Sequence, residues 1–325
     1  MVSKEEFSKY VKELLENDKD KKNINRLSKG YLAGAICSLV LSVVIFIRGF
    51  IYLANTNIIS RTLLIIWMLL LVLAIMMFVL RNKTKKYYND NYRGEILNFL
   101  LKGYRYYFDP IGRLSTQMLE DSQFSKSFDY ASTSDVLGID IPEEDGSKSQ
   151  VDMYIGDVYS YNIHIDKEGK RTTTGVYSGM FGYSEFPYNF KCILTINSKY
   201  KRKGLKLEKV HLEDIVFNDV FDVYSDNQIE ARYILTPDMM TKLMNLQKKI
   251  KNIKISFVDN CLFVGAKGFN MFELNYLKED DPVTVFENLY DEIEIVLSIV
   301  NEIKNNNKIF VTQRKKRKKR KLQKQ

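Results

Sequence analysis

Two histidines, three cysteines and several carboxylate pairs are the residues of this chain that could carry chemistry, and their spacing excludes most of it. A histidine-based metal or general-base site needs partners at fixed intervals, as in His-Glu-x-x-His, because two groups must share one helix face. Neither His164 nor His211 has such a partner. Cys37 lies in an apolar run, and Cys192 and Cys261 are far apart without Cys-x-x-Cys spacing. That set supports neither a thiolate metal site nor a disulfide framework, and it fits a reducing compartment. Gly169-Lys170 resembles the end of a phosphate loop. Such a loop needs a glycine at its start and a magnesium-binding hydroxyl after the lysine, and this chain has His164 and Arg171 there. Glu143-Glu-Asp-Gly146 resembles part of a calcium loop, but Ile141 stands at the first-ligand position. No Gly-x-Gly-x-x-Gly or Gly-x-Ser-x-Gly occurs. The expectation is no metal and no cofactor.

The pairs Glu143/Glu144 and Glu213/Asp214 and the triplet Glu279/Asp280/Asp281 could do acid–base work only in two distinct environments, and nothing separates them from a solvated acidic surface. No catalytic residue is assigned. Gly175-Val-Tyr-Ser-Gly-Met-Phe-Gly182 is a glycine- and aromatic-rich turn that could bind a ligand, although glycine-spaced strand ends are more commonly bulges or tight turns.

The strongest charge feature is the tail Arg314, Lys315, Lys316, Arg317, Lys318, Lys319, Arg320 and Lys321. Eight adjacent cations repel one another and are expected to be disordered and solvated. Anionic lipid attracts about 1 kcal/mol per nearby basic residue, so a tail tethered at a membrane has lipid as one partner. RNA backbone and the chain's own acidic domain are the others, and the absence of interleaved aromatics makes any RNA binding salt-sensitive. A tail that serves only solubility is the bland alternative. The net charge of +9 is unevenly spread: +8 over residues 1–86, −8 over 87–313 and +9 over 314–325. The folded bulk is therefore acidic.

The elements that must position these residues begin with two apolar runs. Tyr31–Leu53 is 23 residues with one charge, Arg48, and Leu63–Leu80 is 18 residues with none. About 20 apolar residues span the hydrocarbon core, so both read as spans, and the short connection Ala54–Thr62 makes them antiparallel. Lys19, Lys21, Lys22, Arg26 and Lys29 precede the first and Arg81, Lys83, Lys85 and Lys86 follow the second, whereas the connection carries only Arg61. The positive-inside rule then puts both termini and the soluble domain in the cytoplasm of a multi-pass membrane protein. Arg48 has no intramembrane acid and is expected to snorkel. Residues 1–30 comprise an amphipathic helix, opened by the box Ser3-Lys-Glu-Glu6, and a basic flank. Its stripe of Phe7, Tyr10, Val11, Leu14 and Leu15 matches that of a juxtamembrane helix over 87–108, with Tyr88, Tyr92, Ile96 and Phe99, ended by Pro110.

Residues 110–305 read as a soluble α+β domain: an antiparallel sheet with packed helices, lacking regular βαβ alternation. A polar acidic loop is expected over 132–150, strands over 151–165 and 171–181 joined at Asp166-Lys-Glu-Gly169, a buried strand over 190–196, a basic turn over 200–204, an alternating run over 205–212 and a short strand over 221–225. Thr236-Pro237 starts a helix to about Lys249. Asp259-Asn260 turns a hairpin between 254–258 and 261–266, and Asp281-Pro282 starts a helix to about Asn305. The stripe Val285, Phe286, Leu289, Ile293, Val296, Leu297 and Val300 faces the sheet, with Glu287, Asp291, Glu292 and Glu294 opposite. Residues 306–325 form the basic tail.

Two stretches carry a family resemblance: Phe221-Asp-Val-Tyr-Ser-Asp-Asn-Gln-Ile-Glu-Ala-Arg-Tyr-Ile-Leu-Thr-Pro237 and Ile255-Ser-Phe-Val-Asp-Asn-Cys-Leu-Phe-Val264. With two N-terminal spans, and Val176–Phe190 resembling a Phe-x-Gly-x-Phe stretch with Tyr177 in the first place, the chain resembles a bacterial two-span membrane family known only as domain of unknown function thirty-one thirty-seven. The likeness covers roughly residues 30–275. It supports the architecture and implies no activity, and the motif residues it marks for testing are Glu230, Arg232, Gly179 and Phe181. The expected role is a non-enzymatic binding or scaffold module at the cytoplasmic membrane face, with a protein partner. The alternatives are an enzyme of unrecognised class using carboxylates near 176–190 or 221–237, and RNA or ribosome tethering through the tail.

Overall fold

The computed structural model describes residues 1–17, 19–56, 61–125, 127–142, 151–197, 206–272, 282–306 and 309–310. The basic turn over 200–204 and the tail cations Arg314 to Lys321 lie outside the described residues. The chain divides into two compact units, one of residues 5–98 with 276–283 and the other of 1–4, 99–275 and 284–325.

The first unit is helical: α1 (Lys4–Asn17), α2 (Lys19–Thr56) and α3 (Arg61–Leu100). Within α2 and α3, Arg26–Leu53 and Arg61–Thr84 are long and apolar enough to cross a membrane. The helices run antiparallel: Phe46 meets Trp67 with ring centroids 5.5 Å apart, while a Cβ on Gly34 would meet Met77 Sδ. Their most apolar windows are only 17% and 6% buried, and Phe50, Leu69 and Ile75 are 66%, 63% and 63% exposed. A helix of a soluble core would bury these side chains. In α1, Phe7 and Val11 are buried, as are Tyr92, Ile96 and Leu97 on α3. Burial and then the nearby charge of Glu95 raise the Tyr10 hydroxyl, so α1 lies along that part of α3.

The second unit is built on a sheet. The helix expected to reach Phe108 ends at Leu100; Gly103 takes a left-handed φ of +93°, and the chain enters β1 (Arg105–Asp109). The elements that follow are α4 (Thr116–Asp121), β2 (Tyr130–Ile141), β3 (Val151–Ile165), β4 (Arg171–Glu185), β5 (Leu194–Ile196), β6 (Glu208–Lys209) and α5 (Ile215–Val220). After these come β7 (Val223–Ser225), α6 (Gln228–Ile234), α7 (Pro237–Lys249), β8 (Ile253–Val258), β9 (Cys261–Lys267) and α8 (Pro282–Asn305). The described strands form one antiparallel nine-stranded sheet ordered β1-β2-β3-β4-β9-β8-β5-β7-β6, so the domain is α+β.

Several expectations change. The segment read as an acidic loop from 132 is mostly β2, whose Leu137, Ile139 and Ile141 are 0–1% exposed; the rest, 143–150, lies outside the described residues. The glycine-rich turn over 175–182 lies inside β4. The run over 205–212 pairs with β7 at Glu208–Lys209, followed by one bond from the Val210 N–H to the Val223 carbonyl, and the strand over 190–196 shortens to β5, with Phe190 in a bridge to Phe310. The tail therefore does not start at 306: Ile309 and Phe310 are 2% and 7% exposed, because both are apolar and fit the Phe186–Phe190 cluster.

Part of each sheet face is covered. On one, Met153, Ile155, Met180 and Val264 meet Val296 and Val300 of α8. On the other, Leu114, Leu119 and Phe124 pack on Val158, Phe181 and Phe263. The α8 stripe docks as expected, but the face opposite is not free. Glu292 is 6% exposed, and Asp291 bonds Lys4 Nζ at 2.6 Å and Lys249 Nζ at 2.7 Å. Burial pushes the Glu292 carboxyl up to about 8, with Lys249 opposing and Asp291 adding.

Candidate functional site

Two of the four motif residues are framework. Gly179 has φ +143°, and a Cβ there would fall on the Ala266 carbonyl oxygen of the neighbouring strand β9. Phe181 is fully buried, edge-on to Phe124 and stacked at 6.1 Å on Phe263. Neither can touch a ligand.

Glu230 and Arg232 share α6, which Asn227 caps by accepting from the Ile229 and Glu230 amides. Glu230 lies 3.7 Å from Lys191 Nζ, an ion pair longer than a hydrogen bond. Arg232 donates to the Gln228 carbonyl at 2.7 Å and the His211 carbonyl at 2.9 Å, stapling α6 to the preceding loop while its side chain stays exposed.

Arg232 also lines an open cleft of about 820 Å³ between α6, the start of α7 and the end of α8. Thr236 caps α7, accepting from the Met239 amide at 3.1 Å and donating to Glu302 at 3.0 Å. Lys242 Nζ lies 2.8 Å from Asp238 and 2.6 Å from Glu302. Burial lowers the affinity of that amine for its proton, but the bonds to both carboxylates outweigh it and leave the amine above its ordinary value. The cleft is thus polar, with its lysine already neutralised. It can hold a hydrogen-bonding group beside the exposed Arg232 guanidinium, whose bonds go to backbone carbonyls.

A second surface assembles from residues that single-sequence patterns could not join. Register pairs Asp140 with Asp152 and Asp152 with Glu185, forming a carboxylate row across β2, β3 and β4, with Arg105 opposite Asp140 at its outer end. Two residues along each strand, on the same face, runs a tyrosine row: Tyr107, Tyr154 and Tyr183, with centroids 6.4 and 5.2 Å apart. Tyr107 reaches Tyr154 by lying over Gly138, where a Cβ would strike its ring. Burial, and then the charge of Asp152 with Tyr107, Glu185 and Asp140, raises the Tyr154 hydroxyl; burial foremost pushes Tyr183 up to about 12. Tyr107 is 51% exposed, and Glu185 is exposed. The only sequence trace of this surface is the spacing Asp152-x-Tyr154 and Tyr183-x-Glu185.

Cys37 is exposed on α2, whereas Cys192 and Cys261 are buried in the sheet domain, not poised. Burial first, and neighbouring carboxylates after it, push Cys192 to about 11 and Cys261 to about 12, so both stay protonated at neutral pH. Among the described residues no group of three or more His, Cys, Asp or Glu is placed to hold a metal ion.

Fold and site together define an α+β sheet domain preceded by two helices long and apolar enough to cross a membrane. Residues 175–305, from β4 through α8, match the model of the family described as "Protein of unknown function (DUF3137)". The resemblance read from the two motif stretches therefore holds over residues 175–305, the part of the domain that carries Gly179, Phe181, Glu230 and Arg232. No curated protein matches. A solved structure, the mycobacterial trehalose monomycolate transport factor A, is similar over 61% of this chain and 92% of that one, at 11% identity and a TM-score of 0.31. A likeness at that level carries no argument about fold or function.

Proposed function

We propose that this chain is a membrane-anchored binding or scaffold module, not a catalyst, whose sheet domain and both termini face the cytoplasm. The observation that carries the reading is the outward-facing apolar surface of the antiparallel pair α2 and α3, which needs lipid to cover it. The cations that flank both spans, against a single arginine between them, support the orientation. A domain whose buried thiols are protonated and whose cleft lysine is paired with two carboxylates offers surfaces for recruitment rather than an activated nucleophile.

In-cell crosslinking followed by purification from membranes tests recruitment. A stoichiometric protein retained by the full chain and by a version ending at Gln313 supports it; a chain that captures only RNA, and only with its tail, overturns it. Orientation is tested with Glu168→Cys at the exposed β3–β4 turn. An impermeant thiol reagent should label it only after lysis, above the background of the native thiols, and labelling on intact cells refutes the cytoplasmic placement.

A further inference from the structure

Along β3, the face that meets α8 through Met153 and Ile155 continues to Asp157, Tyr159 and Tyr161, because alternate residues of a strand share a face. Register sets Tyr130 of β2 opposite Tyr161, Ser132 opposite Tyr159 and Ser134 opposite Asp157, while Ser178 of β4 flanks Tyr159 from the other side. The Tyr130 and Tyr161 rings are nearly parallel, at 18° with centroids 5.7 Å apart, and Tyr159 follows at 5.6 Å from Tyr161. Tyr130 and Tyr159 are 55% and 46% exposed, so this end of the face is open. Gly175 of β4, opposite Tyr161, has no side chain to cover the ring. Two side chains clamp the strand ends: the Ile163 N–H donates to Asp129 at 2.7 Å, and the Asp129 N–H donates to the Asn162 side-chain oxygen at 2.9 Å. The three rings are therefore held in place without a ligand. Beside them lies a cleft of about 310 Å³, lined by Tyr159 together with Ser132, Ser134, Ser178, Asp135, Asp157 and Asn270. Asp135, Asp157 and Asn270 already interact within the domain. A carboxylate accepts at about four lone-pair sites and an amide donates twice, so those contacts are compatible with a further bond to a ligand.

We propose that this surface is a carbohydrate site: a pyranose lays its C–H face on the Tyr130, Tyr161 and Tyr159 rings and turns its hydroxyls into the adjoining cleft. The face of a tyrosine ring is the negative part of its quadrupole and attracts the weakly positive C–H hydrogens of a sugar. Sugar hydroxyls both donate and accept, which matches a lining of serine hydroxyls, carboxylates and one amide. Other ligands match only half of the surface. A nucleic acid could stack its bases on the rings, but its phosphates would meet Asp135 and Asp157, and none of the described lining residues is a cation. A proline-rich peptide would suit the rings, yet proline has no N–H to offer the carboxylates. The volume is at the small end of the range for small-molecule sites, about 300–1,000 Å³. A free saccharide and the headgroup of a glycolipid share this chemistry. The proposal is independent of the recruitment reading, since sugar binding is read without any protein partner.

Saturation-transfer NMR on the full chain in phosphatidylcholine nanodiscs, with maltose and then cellobiose as the probe, reads which sugar hydrogens touch the protein. Transfer is expected to concentrate on the ring C–H hydrogens of one face of at least one disaccharide. It should fall about five-fold in Tyr130→Ser and in Tyr159→Ser, and to a smaller extent in Ser178→Ala. Tyr107→Ser, on the opposite sheet face, should leave it unchanged, which separates loss of the site from loss of structure. Adding a diglucosyl diacylglycerol to the disc assigns the source: a lost disaccharide signal marks a glycolipid headgroup, and a retained one marks a free saccharide. Three results would each overturn the proposal: no transfer to either disaccharide, transfer indifferent to both tyrosine variants, or transfer to decaproline or oligouridylate but to neither sugar.

Discussion

Gly179→Ala should be among the most damaging small substitutions in the sheet, for a reason that is wholly structural. At φ +143° the residue sits where side chains are rarely accommodated, which costs roughly 1–3 kcal/mol once a Cβ is present. The added carbon would also fall on the Ala266 carbonyl oxygen and lie 2.9 Å from the Gly268 nitrogen, both backbone atoms that cannot rotate away. Relief requires β9 to shift, stretching the bonds from Gly268 N–H to the Ser178 carbonyl (2.8 Å) and from Met180 N–H to the Phe269 carbonyl (2.6 Å). Two weakened hydrogen bonds add about 1 kcal/mol each, for a total on the order of 3–5 kcal/mol. Against a domain stability of about 5–15 kcal/mol that is a large fraction. Gly175, in the same strand, has only the Tyr159 hydroxyl near, at 4.0 Å, so Gly175→Ala should be neutral or stabilising by about 0.4–1 kcal/mol through the unfolded chain. Guanidinium unfolding of the full chain in detergent, followed by the near-ultraviolet tyrosine signal, reads both. A Gly179→Ala midpoint within about 0.5 kcal/mol of the parent, or equal losses at both glycines, would refute the close-approach account.

Phe181→Ala should remove about 3–5 kcal/mol in the same assay, since the ring is fully buried among Phe124, Tyr183 and Phe263. Thr236→Ala should cost about 1 kcal/mol by uncapping α7, with faster amide exchange at Met239 as the local sign. Glu292 is held protonated by burial up to about pH 8 in the fold, whereas its unfolded value is 4.5. Below 4.5 both states carry the proton; between 4.5 and 8 only the fold does, so this group's contribution falls as pH rises through that window and then levels off. Glu292→Gln should flatten that part of the stability–pH curve and raise stability at pH 8 by a few kcal/mol, and an unchanged slope would refute the burial.

The sequence was most legible where one local rule decides. Thr236-Pro237 starts α7 because a hydroxyl and a fixed φ act within four residues, and Asp259-Asn260 closes the β8–β9 hairpin with Asp259 at φ +54°. It was least legible where the partner is distant. The 100–109 segment reads as helix by its stripe, but Gly103 and pairing with β2 turn its end into β1. Glu292 reads as solvated by period alone; packing on the far side of α8 buries it. Neither motif glycines nor Arg232 announced their roles: the conformation of Gly179 and the carbonyl partners of Arg232 depend on strand and loop neighbours far along the chain.

The carboxylate row itself is a product of one irregularity. Up to Ser134, β2 pairs residue for residue with β3, and Thr133, facing Leu114, lies on the tyrosine side. Between Ser134 and Leu137 two residues of β2 oppose the single Gly156, with Asp135 at φ +54° and its amide bonded to the Pro110 carbonyl. The extra residue exchanges the two faces, sending Leu137, Ile139 and Ile141 under α8 and Asp140 into line with Asp152. Without it those three apolar side chains would leave the α8 face. Burying each contributes about 1.5–3 kcal/mol, whereas like charges set opposite one another cost roughly 0.2–1 kcal/mol per pair. The apolar set therefore fixes the register, and the repulsion between Asp140, Asp152 and Glu185 is carried as a consequence.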